Sequence, residues 1–453
     1  MKNFLLNRIL SRFSHERSRT TVINIGSAFF LKGMVAILTL WLVPLTLKCL
    51  DKSNFGLWMN ISTLISWFYL LDIGLAHGFR SKFTRSISLG HEREAKQLVS
   101  TTYAMVLGIC MLSAILFFAI TPHINWLKIL NVSALEKNQL DIILSILFYG
   151  FLAKLVLSVI SSVLLASHKV YLSNLIDFFT YLIIFIATWF ISLDNENNLE
   201  RIAWVNSFSP VLVLFVFTLL LFGTKFKPFR PSPKEIKFNH LKGIFSKGLQ
   251  FFIIQISGLL LFSTGNFLVS YFFGNESVAD YSVLSKYFGV PMIGFNVVMV
   301  PFWAGFADAY HKNDIPWINS IIRKLLTLWS FLVVGLIAMG ILAPWIIPIW
   351  AGDSVIVSQP LLWMNAAFVA ISAWNTIFAF FINGTEHIRL QMITSVVVSI
   401  FNIPLAFLLV KGFDFGPEGV LLATLISIFP ATILFPAQVK LLVNKKAKGI
   451  WLK

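Results

Sequence analysis

Apolar stretches of about 20 residues or more recur along almost the whole chain, and no other feature limits its fold so strongly. A helix needs about 20 apolar residues to cross the hydrocarbon core of a bilayer. The pattern therefore predicts an all-α, polytopic membrane protein with about twelve transmembrane helices. The predicted spans are 20–46, 54–79, 99–121, 140–166, 171–193, 201–223, 248–273, 278–305, 325–350, 360–384, 389–411 and 418–441.

The charge content supports this class. Only 12% of the 453 residues are charged and 57% are hydrophobic, whereas soluble domains carry about 25% charged residues. This excludes a water-soluble enzyme. The net charge of +16 could indicate nucleic acid, but the chain has too little soluble surface for a nucleic-acid-binding face. Lys and Arg accumulate on the cytoplasmic side of membrane proteins, which accounts for the surplus.

The distribution of basic residues predicts the orientation. If the N-terminus is inside, 27 of the 36 Lys and Arg residues fall in cytoplasmic segments or at the span ends beside them, six in external segments or at the span ends beside those, and three in the interior of spans. A bias of this size in short loops predicts that both termini are cytoplasmic.

The longest basic connection divides the spans six and six, so any internal repeat is a parallel one. The predicted divisions are an amphipathic cytoplasmic helix (1–19), an N-lobe (20–223), a basic cytoplasmic linker (224–247), a C-lobe (248–441) and a basic cytoplasmic tail (442–453).

Motifs for covalent chemistry are missing from the sequence. It has no phosphate-binding Gly-rich loop with Lys and Ser, no His-Glu-x-x-His and no paired cysteines. Cys49 and Cys110 lie at or inside apolar stretches, where we expect packing residues rather than a metal site or a disulfide. We therefore expect a protein that is not an enzyme and that holds no metal.

Three lysines, Lys32, Lys154 and Lys286, lie within spans, and by span limits Lys32 and Lys154 are central. A lysine at a helix centre costs about 2.5–3.5 kcal/mol, so these residues predict a water-filled cavity that receives an anion. The alternative is structural ion pairing, of Lys154 with Asp177 and of Lys286 with Asp280.

Other polar residues within spans leave two functions open. Asp72, near the cytoplasmic end of the second span, is a candidate proton or cation site, or a gate that pairs with Arg80 or Lys82. Span asparagines and tryptophans could contact sugars, although helix–helix hydrogen bonds and interface anchoring are the ordinary roles of these residue types. The residues concerned include Asn60, Asn266, Asn296, Asn365, Trp58, Trp67 and Trp374.

The region 55–103 and the last span carry a more specific pattern. The motifs are Phe55-Gly56-Leu57-Trp58, Asp72-Ile73-Gly74-Leu75, Gly78-Phe79-Arg80-Ser81-Lys82 and Gly416-Pro417-Glu418-Gly419-Val420. Together with the length and span layout, they resemble the Wzx-type flippases of O-antigen and polysaccharide repeat units. Phe79 and Ser81 depart from the Leu and Asn usual in that family.

The resemblance implies the fold of multidrug, oligosaccharidyl-lipid and polysaccharide exporters, with two six-helix lobes around a central cavity. It implies a flippase of the bacterial cytoplasmic (inner) membrane that carries undecaprenyl-pyrophosphate-linked glycans outward by alternating access. Lys32, Lys154 and Lys286 would hold the pyrophosphate or acidic sugars.

The expected partners are the lipid-linked glycan and membrane lipids, with a polysaccharide polymerase and a chain-length regulator as candidates. No cofactor is expected, and coupling to an ion gradient is left open. The alternatives are a drug or cation antiporter of the same fold, and a membrane polymerase or ligase acting on the same lipid.

Overall fold

The computed structural model describes residues 16–72, 75–132, 136–167, 169–194, 198–237, 239 and 248–452. Every regular element in these ranges is helical. The α-helices are α1 (Glu16–Cys49), α2 (Lys52–Trp67), α3 (Leu75–Ser88), α4 (Glu92–Ile120), α5 (Trp126–Ile129), α6 (Lys137–Leu157), α7 (Val159–Ala166), α8 (Val170–Ile191), α9 (Leu199–Gly223), α10 (Gly248–Phe273), α11 (Asn275–His311), α12 (Ile315–Ala351), α13 (Gln359–Gly384), α14 (Arg389–Phe407) and α15 (Pro417–Val443).

Within the described ranges, 11 helical segments are long and apolar enough to cross a membrane. The predicted second span, 54–79, is the exception because it is not continuous. Helix α2 has only 16 residues, about 24 Å at 1.5 Å per residue, and a 3₁₀ turn at Phe68–Asp72 follows it. Helix α3 is polar, so the second half of the predicted span has a lower hydropathy than the first half.

The predicted fourth span, 140–166, is confirmed as one membrane-length segment, Lys137–Ala166, with an interruption of a single residue. Helix α6 ends at Leu157 and α7 begins at Val159. Between them, the Ser158 hydroxyl donates to the Leu155 carbonyl at 2.7 Å, a local bond of the kind that competes with regular helix geometry. Lys154 lies in the last turn of α6, and it is still near the middle of the 30-residue segment Lys137–Ala166, as the span limits predict.

The hydrophobic core is arranged differently at the two ends of the bundle. At one end a single cluster joins both lobes, through residues such as Phe55 and Leu140 of the N-lobe and Val278 and Leu362 of the C-lobe. Toward the other end the lobes have separate clusters, one around Phe79 and Val163 and another around residues of α11, α13 and α15. The two lobes are therefore fused at one end and distinct at the other.

The first part of the predicted linker packs on the N-lobe. The backbone N–H of Ser232 donates to Ser100 Oγ at 3.0 Å, and that of Lys237 donates to Thr101 Oγ1 at 2.9 Å. Both acceptors lie on α4, so this stretch extends the lobe. Residues 1–15 and 240–247 lie outside the described residues, and with them most of the predicted amphipathic helix and the rest of the linker.

Candidate functional site

A cavity of about 910 Å³, here called the chamber, lies between the lobes. Its walls come from α1, α2, α8 and α9 of the N-lobe and from α10, α11, α13 and α15 of the C-lobe. Hydroxyl and amide groups line most of its polar surface. The polar uncharged lining residues are Thr39, Thr46, Ser62, Thr63, Ser66, Tyr181, Thr188, Asn206, Asn266, Tyr281, Ser282, Ser285, Asn296, Asn365, Ser372 and Thr424.

Helical spacing explains why these groups meet in one place. Residues three, four and seven apart share one face of a helix, as Ser62, Thr63 and Ser66 do on α2 and Ser282 and Ser285 do on α11. Several of the hydroxyls donate within their own helix, for example Thr63 to the Met59 carbonyl at 2.8 Å. Their oxygen lone pairs stay available to accept hydrogen bonds from a hydroxylated ligand.

Lys286 is the one charged residue among the described residues that line the chamber. It is exposed to the chamber, and its Nζ lies 5.9 Å from the ring centroid of the buried Phe55 on the opposite lobe. The alternative pairing with Asp280 is not the one found. Asp280 instead bonds Lys52 Nζ at 2.9 Å and accepts from the backbone N–H of Ile356 at 2.9 Å.

A second group of polar side chains, here called the N-lobe cluster, consists of Lys32, Tyr69, Lys154, Asp177 and Tyr181. Lys154 Nζ donates to Tyr69 Oη at 2.7 Å. Asp177 lies within electrostatic range of both Lys154 and Lys32, and Tyr181 within range of Lys154 and Asp177. The break after α2 is what brings Tyr69 to Lys154.

The N-lobe cluster adjoins the chamber through Tyr181, which lies one helical turn after Asp177 and lines the chamber wall. Lys32 and Lys154 are not among the lining residues. The sequence prediction of one cavity for all three lysines therefore becomes two neighbouring cationic positions in the structure, one at Lys286 and one in the N-lobe cluster.

The two positions differ in depth. Lys154 is 17 residues from the first residue of α6, and Lys286 is 11 residues from the first residue of α11. Because both helices start at the fused end, a rise of 1.5 Å per residue puts Lys154 about 9 Å farther from that end than Lys286.

Asn275, the first residue of α11, connects the lobes at the fused end. Its Oδ1 accepts from Asn60 Nδ2 at 2.8 Å, and its Nδ2 donates to the carbonyls of Leu130 at 3.2 Å and Asn131 at 3.1 Å. Gly56 packs against it so closely that a Cβ at position 56 would lie 1.7 Å from the Asn275 carbonyl oxygen. The residues Lys52, Gly56, Asn60, Asn275 and Asp280 are called the latch below.

The remaining predicted residues have other positions. Asp72 ends the 3₁₀ turn, and its side chain lies outside the described part of the structure. Arg80 and Lys82 lie half-buried on α3, and their roles, like that of Asp72, stay predictions.

The tryptophans singled out in the sequence all make contacts within the bundle. Trp58 lines the chamber. Trp67 packs edge-on against Phe267 of the other lobe with ring centroids 5.7 Å apart. Trp374 Nε1 donates to the Thr432 carbonyl within the C-lobe at 3.1 Å.

Solved transporter structures share this architecture. An inward-facing multidrug resistance transporter of the MATE family and MOP superfamily superposes with a TM-score of 0.72 at 14% identity, over 94% of this chain and 100% of that chain. An outward-facing MATE structure gives a TM-score of 0.66 at 13% identity, over 93% and 96% of the two chains. The protein therefore has the MATE-like transporter fold.

Sequence relatives agree with the motif resemblance. A Yersinia pseudotuberculosis protein whose name describes O-antigen export is 20% identical, over 70% of this chain and 72% of its own. A Salmonella typhi protein named as an O-antigen transporter is 20% identical, over 81% of this chain and 83% of its own. The family model described as "Polysaccharide biosynthesis protein" matches residues 21–301. With more than half of its length matched, the chain belongs to the polysaccharide biosynthesis protein family.

Proposed function

We propose that the protein moves an undecaprenyl-pyrophosphate-linked oligosaccharide from the inner to the outer leaflet of the bacterial cytoplasmic membrane. The main support for this proposal is the chamber. Sixteen hydroxyl- or amide-bearing side chains line it, and a sugar presents many hydroxyl groups that need such partners when they leave water. Its volume of about 910 Å³ suits an oligosaccharide better than a single small ion.

The anionic end of such a substrate fits the N-lobe cluster. Pyrophosphate carries several negative charges, and lysine ammonium groups bind phosphates as point charges. Lys32 and Lys154 provide two such groups, and the Tyr69 bond orients Lys154. The prenyl chain would stay in the bilayer beside the lobes.

The arrangement of the lobes supports alternating access. The fused end carries the latch, and at the other end the lobes have separate cores. If the basic loops are cytoplasmic, the fused end is the external one, and the chamber is closed toward the outside.

A cation or drug antiporter of the same fold is less favoured. Carboxylates are the usual partners of cationic drugs, and the chamber walls contain none among their described residues. The alternative of a polymerase or ligase has no support from the names of the relatives, which describe export and transport.

A leaflet-exchange assay tests the proposal. Purified protein is reconstituted into vesicles with an undecaprenyl-pyrophosphate glycan that carries a fluorescent label on its last sugar, and dithionite is added outside to bleach the label. We expect the bleached fraction to rise from about one half, the share of the outer leaflet, toward the whole pool. Bleaching that stays at the level of protein-free vesicles would refute the proposal, and export of a cationic dye by the same vesicles would favour the antiporter.

A further inference from the structure

We propose that Lys286 is a recognition site for the carboxylate of an acidic sugar, so that the transported glycan contains a uronic acid or a similar residue. This inference rests on the proposed function and narrows its substrate class. It starts from the position of Lys286 in the chamber, apart from the N-lobe cluster.

The charge of Lys286 has no anionic partner on the chamber wall. The ring of Phe55 offers only a π face at 5.9 Å, which does not neutralise the charge of an ammonium group. Asp280, six residues earlier on α11, is already bonded by Lys52 and by the backbone of Ile356. No described lining residue is acidic. An ammonium held in the membrane in this way is best compensated by an anion that the ligand brings.

The pyrophosphate is a poor candidate for that anion. Its multiple charges match the two lysines and the tyrosine hydroxyl of the N-lobe cluster, about 9 Å deeper along the bundle by helical rise. While the pyrophosphate is bound there, Lys286 faces whichever part of the substrate extends toward the fused end. In a lipid-linked glycan that part is sugar.

The surroundings of Lys286 suit a sugar that carries a single charge. Ser285 Oγ donates to Asn365 Oδ1 at 3.0 Å, and Asn266 Nδ2 donates to Thr63 Oγ1 at 3.0 Å. These groups form neutral hydrogen-bonding walls next to one monovalent cation. A carboxylate has one charge and accepts up to four hydrogen bonds, and hydroxyls beside it would bond the amides and serines.

The experiment compares two free trisaccharides, identical except that one contains glucuronate where the other contains glucose, binding to the purified full-length protein by calorimetry. We expect the glucuronate compound to bind about tenfold more tightly, the size of one charge-assisted hydrogen bond. Lys286→Gln should abolish this preference without weakening the glucose compound, and Lys286→Arg should retain it. Lys324→Gln, at an exposed lysine of α12 outside the chamber lining, should leave the preference unchanged.

Three outcomes would overturn the inference: equal affinities in the unaltered protein, an equal loss of both ligands in Lys286→Gln, or no binding of either compound. The leaflet-exchange assay fails independently. If the protein prefers the glucuronate compound through Lys286 but shows no leaflet exchange, the proposed function is refuted and the acidic-sugar site is supported. If it shows leaflet exchange but no preference for the glucuronate compound, the proposed function is supported and the acidic-sugar site is refuted.

Discussion

Lys154 of the N-lobe cluster is held in place by one aromatic neighbour. Its ammonium donates to Tyr69 Oη at 2.7 Å and lies 5.4 Å from the centroid of the same ring. Asp177 is within electrostatic range but does not take the place of the tyrosine as hydrogen-bond partner. The side chain is therefore held in position by a neutral hydrogen-bond partner, with the Asp177 carboxylate nearby.

We expect Lys154→Gln to weaken binding of inorganic pyrophosphate to the purified protein by about tenfold, because one charge-assisted contact is lost. The change removes the charge and leaves a polar side chain that is one bond shorter. Lys324→Gln, at an exposed lysine of α12, is the matched control and should bind normally. Calorimetric titration with pyrophosphate measures both, and equal affinities for the two variants would contradict the assignment.

At the scale of single residues, the sequence identified the lysines and one neighbour of Lys154, Asp177, but not the tyrosine that hydrogen-bonds Lys154. A lysine within an apolar span stands out in the sequence because placing its charge in a membrane costs free energy. Tyr69, 85 residues from Lys154, and Asn275, 215 residues from Asn60, depend on contacts that a single sequence does not encode locally. The same holds for Gly56, whose role depends on the approach of the other lobe.

Among the helices, the contact between α6 and α9 depends on a missing side chain. A Cβ at Gly150 would lie 2.6 Å from Ser207 Cβ, and Ser207 Oγ donates to the Ile146 carbonyl at 3.2 Å. The two helices approach closely because residue 150 is a glycine, as small residues at membrane helix contacts allow.

Gly150→Leu should therefore separate α6 from α9 and destabilise the N-lobe by about 1–3 kcal/mol, the usual cost of overpacking. A lower midpoint of thermal aggregation in detergent would report the change. Gly108→Leu is the control, because a Cβ at that exposed position of α4 meets open space. Equal midpoints for the two variants would show that the α6–α9 contact tolerates the larger residue.

Most helices could be predicted from the sequence, because an apolar stretch long enough to cross a membrane can form few structures other than a transmembrane helix. The exceptions have local causes that hydropathy does not reveal. The apolar sequence continues across Ser158 and does not reveal the one-residue interruption there, where the Ser158 hydroxyl donates to the Leu155 carbonyl. The break after Trp67 separates an apolar helix from the polar α3, although the averaged hydropathy of the two suggested one span.

For the whole molecule, the fused end determines which motions are available. The division of the spans into two groups of six could be predicted from the long basic connection. The end at which the lobes close could not, because it depends on the contact between α2 and α11. Transport by alternating access requires this end to open. The latch residues must then part, including Asn60, which is fully buried.

A chemical bridge across the latch should stop transport. The two cysteines present, Cys49 and Cys110, are replaced by alanine, and Asn60→Cys and Asn275→Cys are introduced at side chains that hydrogen-bond at 2.8 Å. After treatment with a short thiol-reactive bridging reagent, we expect leaflet exchange to fall to the protein-free level and a reductant to restore it.

The matched control bridges two parts of one lobe. Gln97→Cys and Glu235→Cys replace side chains that bond at 3.1 Å between α4 and the segment after the N-lobe. Bridging this pair should leave exchange intact. Undiminished exchange after complete bridging of positions 60 and 275 would mean that the lobes do not separate at the latch.

The docking of residues 226–237 on α4 also limits how far the lobes can move apart. Because Ser232 and Lys237 are fastened to the N-lobe, the stretch free to join it to α10 is at most 238–247. Ten residues reach about 35 Å when fully extended. This short connection limits how far the two lobes can move apart at the end of the molecule where it lies. It therefore also limits the width of any glycan that enters at that end.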